Sequence, residues 1–300
     1  MMEDKINFSK AFKMANIFSL IAVLISLLFL FFKGLNYGVD FKGGTLLEVR
    51  IENQNIKIQD IRSSLSIPAL GDVNVKEFGT KGDFLIKFEK NANENKKFIT
   101  ELKNIISQKI GSQVNFRRVE SVGPKVSSEL LKQGLTAIIL ALGAMLFYIW
   151  VRFEWQFSLG AIIALIHDVI ITLGIFSILS FEVNLSIVAA VLTIVEYSMN
   201  DTVVIFDRIR ENLLKYSKIK TNEIADISVN ETLSRTVITS LTTLLALFSI
   251  FILGGEILKG FSFAMILGVI IGTYSSVFVA SPVLNYFKVT QKTLLKDEVL

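Results

Sequence analysis

Two carboxylates lie inside a stretch of the chain that is apolar enough to cross a bilayer. Between Val191 and Asn212 the sequence carries Glu196 and Asp201, and a charged tail starts at Asp207. An ionised side chain near the bilayer centre costs about 3 kcal/mol even on lenient insertion scales, so such residues usually face a protein interior or a water-filled path. The sequence therefore predicts that Asp201 handles protons, a hypothesis favoured over a static salt bridge.

Polar residues around Asp201 form a stripe on the predicted helix. Glu196 and Asn200 are four residues apart and share one face, and Asp201 lies on the adjoining face. A polar stripe on an apolar helix needs a partner, and Arg235, near the start of the next apolar segment, is the predicted one. Its guanidinium is expected either to swing between Asp201 and the water or to reach the lipid headgroups, and both alternatives stay open.

A second polar pair, His167 and Asp168, interrupts another apolar segment. The pair lies about ten residues, or about 15 Å, from the cytoplasmic end of its predicted helix. Intramembrane carboxylates are functional candidates by default. The sequence predicts either a polar relay or a hydrogen-bonded anchor to a neighbouring helix, with no preference between the two.

The composition is that of an integral membrane protein, since 52% of the 300 residues are hydrophobic and 19% are charged. Cys is absent, which excludes disulfides and thiolate chemistry, and a single His leaves little for a metal site. The formal charge of +4 is too small to indicate a nucleic acid partner. No His-Glu-x-x-His motif is present, so we predict no enzymatic activity, no metal and no cofactor.

Apolar runs of about 18 residues or more with few charges indicate membrane spans. The predicted spans are Met14–Phe32, Gln133–Val151, Trp155–Phe181, Val183–Phe206, Thr236–Gly255 and Gly260–Phe287. Lys and Arg concentrate before the first span and after the second, fourth and sixth, which predicts that both termini are cytoplasmic. Ser228 and Glu231 match a capping box, which predicts that the fifth helix begins there.

The predicted domains follow from these spans. They are a cytoplasmic tail with the first span at 1–35, an extracytoplasmic domain at 36–131, the other five spans at 132–287 with a cytoplasmic loop at 207–234, and a cytoplasmic tail at 288–300. Segment 36–131 opens on a turn that contains Gly38, Asp40, Gly43 and Gly44. Its alternating and helical apolar patterns then predict the order β-α-β-β-α-β, a ferredoxin-like α+β domain that contacts another protein or serves as a structural cap.

The order of short motifs along the chain resembles the SecF family of the bacterial Sec protein-export machinery. The motifs are Gly38-Val39-Asp40-Phe41-Lys42-Gly43-Gly44, Val122-Gly123-Pro124-Lys125-Val126, Arg152-Phe153-Glu154-Trp155, Ile166-His167-Asp168, Asn200-Asp201-Thr202, Phe206-Asp207-Arg208-Ile209-Arg210-Glu211-Asn212 and Leu233-Ser234-Arg235-Thr236. This resemblance implies half of an RND-type membrane domain, in which six helices pair with six from SecD. It also implies that Asp201 and Arg235 match the family's proton-pathway residues, with protons as the coupling ion.

The same resemblance implies a function and a set of partners. It implies that the chain, together with SecD, uses the proton motive force to assist late translocation of preproteins across the cytoplasmic membrane of a bacterium. SecD, the SecYEG channel, YajC, the translocating preprotein and membrane lipid are the expected partners. Glu196 departs from the small residue, usually Gly, that we expect at its position, and its role stays open.

Two other functions are compatible with parts of the pattern. An RND-type solute exporter would use a similar membrane domain, but an outer segment of about 95 residues makes one small domain rather than large substrate-enclosing domains. A passive scaffold of the channel would have no need of the charge at Asp201. It predicts that neutralising Asp201 leaves export unaffected.

Overall fold

Six long apolar helices dominate the computed structural model, which describes residues 6–52, 56–65, 70, 73–77, 80–88, 96–110, 114–216, 219–287, 289–291 and 293–294. The helices that are long and apolar enough to span a membrane cover Phe8–Phe32, Pro124–Arg152, Trp155–Leu179, Leu185–Lys215, Thr221–Leu253 and Leu258–Tyr286. The prediction of a polytopic helical membrane protein is confirmed, with each predicted span lying on one of these helices.

The helices are numbered in chain order with the strands between them. The elements are α1 Phe12–Phe32, β1 Asn36–Tyr37, α2 Val39–Lys42, β2 Gly44–Ile51, α3 Ile58–Ser64, β3 Val73–Glu77, β4 Asp83–Phe88, α4 Lys96–Ile110, β5 Val114–Val122, α5 Pro124–Arg152, α6 Trp155–Leu179, β6 Glu182–Val183, α7 Leu185–Lys215, α8 Thr221–Leu253, α9 Gly255–Ser275 and α10 Ser281–Tyr286. A 3-10 turn at Phe8–Ala11 leads into α1, and a π-helical turn at Ser276–Ala280 joins α9 to α10.

Small residues set the closest helix contacts of the helical unit. A Cβ added at Gly174 of α6 would lie 2.3 Å from the Ser26 Cβ of α1, and one added at Gly268 of α9 would lie 2.2 Å from an Ile194 side-chain carbon of α7. Such positions let backbones approach where an ordinary side chain would separate them. Helices α6, α7 and α9 lie at the centre of the unit, where half or more of the apolar membrane-spanning segment that each contributes to is buried.

Segment 207–234, which the sequence predicted as a cytoplasmic loop, is mostly helical, and the prediction that the fifth helix begins at Ser228 is wrong. Helix α7 continues to Lys215 and α8 starts at Thr221, so the described connection between them shrinks to a few residues. Ser228 lies inside α8, where its hydroxyl donates to the Ile224 carbonyl at 2.8 Å, and it does not cap the helix. The end of an apolar run marks where a helix leaves the membrane, and charged residues can continue the same helix into water.

The α+β part of the chain forms a separate unit that comprises Tyr37–Thr136 and Glu182–Leu185. Its four-stranded sheet has the order β3-β4-β2-β5, and every neighbouring pair is antiparallel. Leu47 and Val49 of β2 are fully buried and belong to one core with Ile61 of α3 and Ile106 of α4. The period of two along β2 therefore places alternate side chains against the helices, as the apolar alternation predicts.

Candidate functional site

Asp201 lies in the interior of the helical unit. Its side chain on α7 is only 4% exposed, and a hydroxyl of α9, that of Thr273, hydrogen-bonds to its carboxyl group. The Oδ2 atom is buried and has no hydrogen-bond partner among the described residues. A buried carboxyl oxygen without a donor is an available position for a proton, because the neutral form removes the cost of burying a charge.

A line of hydroxyls connects Asp201 with α8. Ser240 of α8 and Thr273 of α9 are 2.8 Å apart between their oxygens. Since Thr273 donates to Asp201, Ser240 donates to Thr273, and the line runs from α8 through α9 to α7. Thr273 was not predicted as a site residue, because a single Thr in a long apolar segment gives no signal until its neighbours are known.

Arg235 of α8 is the partner on another helix that the sequence predicted for Asp201. Its positive charge acts on Asp201, but the structure shows no direct ion pair between the two side chains. The Arg235 side chain is exposed on the surface of the helical unit. The guanidinium therefore lies outside the buried surroundings of Asp201 and does not contact its carboxyl group directly.

Asp168 is the centre of a hydrogen-bonded cluster that joins three helices. It is 0% exposed, and its Oδ2 accepts from the Ser198 hydroxyl of α7 at 2.6 Å and from the Ser275 hydroxyl of α9 at 2.7 Å. Its Oδ1 lies 2.8 Å from Nδ1 of His167. Both carboxyl oxygens are thus occupied, unlike those of Asp201, and the geometry fits the anchor better than the relay.

His167 extends this cluster toward α1. Its ring stacks on Tyr274 of α9, with 6.2 Å between the centroids. The Tyr274 hydroxyl donates to the Ala15 carbonyl at 2.9 Å and is 2.9 Å from the Ser19 hydroxyl. The second ring nitrogen, Nε2, is buried without a partner among the described residues. His167 therefore packs against Tyr274 of α9, and Tyr274 in turn contacts α1.

Glu196 and Asn200 point away from the cluster around Asp201. Both side chains are exposed on α7, on the surface of the helical unit. The structure thus separates two groups of residues that the sequence placed on one stripe, with Asp201 inside and Glu196 and Asn200 outside. Asp201 is five residues from Glu196, which turns the two side chains about 140° apart around the helix.

A charged cluster connects the later part of α7 with the first turns of α8. Arg208 donates through Nε to Glu231 at 2.7 Å and through Nη1 to Glu211 at 2.6 Å. Asn212, which is buried, donates to the same Glu231 oxygen at 2.8 Å and to the Ser228 hydroxyl at 3.0 Å. Glu231 was predicted only as part of a helix cap, so its place in this cluster was not foreseen.

The glycine-rich motif forms a junction in the α+β unit. The Gly38 amide donates to the Val183 carbonyl at 2.9 Å, and Asp40 accepts from the Leu185 amide at 2.9 Å. Asp40 thereby caps the start of α7 from a distant part of the chain, where a helix has free amides and a positive end. The motif is more than the simple turn that the sequence predicted.

An ion pair lies beside this junction. Lys87 of β4 pairs with Glu182 of β6, and a Cβ added at Gly38 would lie 2.5 Å from a Glu182 oxygen. Burial, followed by repulsion from Lys76, lowers the pKa of Lys87 to about 8. Its amine therefore loses its charge in mildly alkaline solution, before exposed lysines do.

Gly43 can be tested by one substitution. It has φ 80° and ψ 171°, a conformation that is essentially restricted to glycine, and an added Cβ would lie 3.4 Å from Pro124. Gly43→Ala is expected to lower the free energy of unfolding by about 3 kcal/mol, the upper end of the range for strained backbone. Thermal unfolding of the full chain in detergent measures this change.

A matched glycine provides the control. Gly34 also has a positive φ of 70°, but no atom lies within 4 Å of its added Cβ. Gly34→Ala is expected to cost about 1 kcal/mol, the cost of the left-handed conformation alone. Equal effects of the two substitutions would contradict a special backbone requirement at Gly43.

Metal binding has no support in the described part of the chain. Within residues 6–294, apart from the gaps given above, no group of three or more His, Asp or Glu side chains is arranged to hold a metal ion. What the described side chains bring together instead are carboxyl groups, hydroxyls and guanidinium groups in a helical membrane unit.

Fold and site together define a polytopic helical membrane protein with a buried, incompletely hydrogen-bonded carboxyl group. The family of protein export membrane protein SecD/SecF, C-terminal, matches residues 102–290, and the SecD/SecF GG motif matches residues 28–54. These matches cover most of the chain and include Gly43 and Gly44 as well as Asp201. The chain belongs to the SecD/SecF family of protein export membrane proteins.

Individual relatives agree with this assignment. The chain is 43% identical to the protein translocase subunit SecF of Rickettsia rickettsii. This similarity extends over 285 residues, which are 95% of this chain and 91% of that protein. The chain is 41% identical over 298 residues to the SecF subunit of Vibrio alginolyticus, which covers 99% of this chain and 94% of that protein.

Solved structures show the same fold. The crystal structure of SecDF from Thermus thermophilus, a translocon-associated membrane protein, matches with a TM-score of 0.86 and 34% identity over 95% of this chain. A second SecDF structure, in a super-membrane-facing form, matches with a TM-score of 0.71 and 32% identity over 99% of this chain. The chain spans only 39% and 41% of the lengths of those two SecDF chains.

Proposed function

We propose that this chain is a subunit of a protein-export machinery that, together with a SecD subunit, uses the proton motive force to assist late translocation of preproteins. The observation that carries the proposal is the buried carboxyl group of Asp201, whose Oδ2 has no partner while the charge of Arg235 acts on it from α8. The similarity to SecF subunits over nearly the whole chain supports the same function.

The proposed chemistry is the reversible protonation of Asp201. When Asp201 is ionised, its charge attracts Arg235, and when it is protonated this attraction disappears. A proton that crosses a membrane potential releases about 2.3 kcal/mol per 100 mV. This energy corresponds to an about 50-fold bias between two conformations, so one protonation step suffices to favour one arrangement of α7 and α8 over another.

The finer architecture is part of the same proposal. The α+β unit is a ferredoxin-like domain, because its sheet has the strand order of a split βαβ arrangement. It lies outside the cytoplasm. Both termini lie in the cytoplasm, following the distribution of Lys and Arg around the spans. The protein resides in the cytoplasmic membrane, with residues 36–131 outside and residues 132–287 forming half of an RND-type membrane domain.

The partners are assigned by surface chemistry. Glu196 and Asn200 are exposed on a helix that spans the membrane, where polar side chains facing lipid are costly. They form part of the face that meets SecD, which provides the other half of the membrane domain. The exposed apolar side chains of α1 and α5 face lipid. The SecYEG channel, YajC and the preprotein complete the proposed assembly.

Export from membrane vesicles tests the proposed function. Vesicles that contain SecYEG and SecD are prepared with and without this chain, and export of a reporter protein is measured with the proton gradient intact and after an uncoupler. We expect a gradient-dependent component of export that requires this chain. Equal export with and without the gradient would favour a passive scaffold, and gradient-driven efflux of a small solute instead would favour an RND-type exporter.

A further inference from the structure

The cluster around Glu231 continues the polar side of α7 and α8 away from Asp201. On α8, Glu231 precedes Arg235 by four residues, so the two side chains share one face, with the acidic residue nearer the helix start. On α7, Arg208 follows Asp201 by seven residues and lies on the same side of the helix, about 10 Å further along.

The charges on this side of the two helices alternate. The acidic Asp201 of α7 feels the positive charge of Arg235 on α8. The basic Arg208 of α7 forms an ion pair with the acidic Glu231 of α8. Two carboxylates therefore act on this side of Arg235, that of Asp201 on α7 and that of Glu231 one turn earlier on its own helix. Arginine has a long side chain that can change partners without movement of the backbone.

We propose that Glu231 is a positioning residue for coupling, the alternative partner that receives Arg235 when Asp201 is protonated. This inference rests on the proposed function. Loss of the charge on Asp201 removes one attraction on Arg235 and leaves that of Glu231. Arg235 then has two defined positions, one beside Asp201 and one beside Glu231. Coupling between sites needs such an element with two discrete arrangements.

Two neighbours of Glu231, Asn212 and Arg208, are compatible with a change of its partner to Arg235. Asn212, which is 2% exposed, donates to Glu231 and fixes the position of its carboxylate from α7. Arg208 holds Glu231 and Glu211 at once, so it retains a carboxylate when Glu231 turns to Arg235. Arg208 contacts this carboxylate directly, and Glu211 faces Arg208 from the water side.

Glu231→Gln tests the inference, because glutamine keeps the size of the side chain and removes its charge. Vesicles contain SecYEG, SecD and either the native chain or the variant, and gradient-dependent export is measured over a series of pH values. We expect the gradient-dependent component to fall about tenfold, as for loss of a typical coupling interaction. The remaining component should need a higher proton concentration, because Arg235 then stays beside Asp201.

Two further variants distinguish positioning from mere structural support. Glu231→Asp keeps the charge and is expected to restore at least half of the native gradient-dependent export. Glu211→Gln removes the other carboxylate that Arg208 holds. The Glu211 side chain is 64% exposed, and exposed ion pairs contribute little, so we expect gradient-dependent export and its pH profile to stay within about twofold of native. Equal losses for Glu211→Gln and Glu231→Gln would overturn the inference, since both would then act through Arg208.

Assembly is followed in every variant by co-purification with SecD. If Glu231→Gln does not assemble, Arg208→Gln decides, because it frees Glu231 for Arg235 and is expected to keep the gradient-dependent component within about twofold of native. A complete loss in an assembled Arg208→Gln complex would overturn the inference. A native chain without any gradient-dependent export would instead overturn the proposed function itself, and an unchanged pH profile in assembled Glu231→Gln would overturn only the role of Glu231.

Discussion

Asp201→Asn is expected to abolish the gradient-dependent component of protein export while the complex with SecD still assembles. Asparagine has the size of aspartate and accepts a hydrogen bond from Thr273, so the contacts of α7 with α9 are kept. It cannot bind or release a proton, and it does not attract Arg235. Since buried carboxyl groups in spans mark ion pathways, the coupling step is lost and gradient-independent export remains.

Export of a reporter protein from vesicles, with and without an uncoupler, measures this result. Asp207→Asn provides a matched control, because Asp207 lies on the same helix and its exposed carboxylate pairs with Arg152 at 2.8 Å. An exposed ion pair contributes at most about 1 kcal/mol, so this variant should keep its gradient-dependent export. Native export in assembled Asp201→Asn would contradict the role of Asp201 and favour a passive scaffold.

The contrast between Asp201 and Asp168 shows where sequence reasoning stopped. Both are carboxylates in apolar segments, and the insertion cost of a charge marks both as candidates. What separates them is the number of donors around each one. Asp168 meets Ser198 and Ser275 on two other helices, and serines in a sequence do not show which carboxylate they will face.

Apolar periodicity was sufficient to predict the helices but not their ends. The six spans could be located because a long apolar run has few alternatives to a membrane helix. The continuation of α7 to Lys215 could not, because the charged residues after Phe206 carry no apolar period. Their side chains pair with one another and with α8, and these tertiary contacts keep the segment helical.

The glycine motif shows that a local sequence pattern does not predict long-range contacts. Gly43 and Gly44 indicated a turn, since glycine alone adopts positive φ without strain. The contact of Asp40 with the Leu185 amide joins residues 145 positions apart, and no local pattern specifies such a contact. The sequence therefore identified a backbone requirement in this motif but not the helix that the motif caps.

Asp168→Ala is expected to destabilise the helical unit by about 4 kcal/mol, because it removes the acceptor of Ser198 and Ser275 and the partner of His167 from a site that water does not reach. Thermal unfolding of the complex in detergent measures the loss. The matched control is Thr172→Ala, one turn further along α6, where a fully buried hydroxyl has no partner among the described residues. Its removal should cost no more than about 1 kcal/mol.

Asp168→Asn separates the anchor from a relay. Its amide keeps an acceptor oxygen for the serine hydroxyls, so the complex should assemble and retain gradient-dependent export if Asp168 only anchors the helices. A stable Asp168→Asn complex without gradient-dependent export would show that Asp168 carries protons too. The anchor is the expected result, because both oxygens of Asp168 already have partners, whereas Oδ2 of Asp201 has none among the described residues.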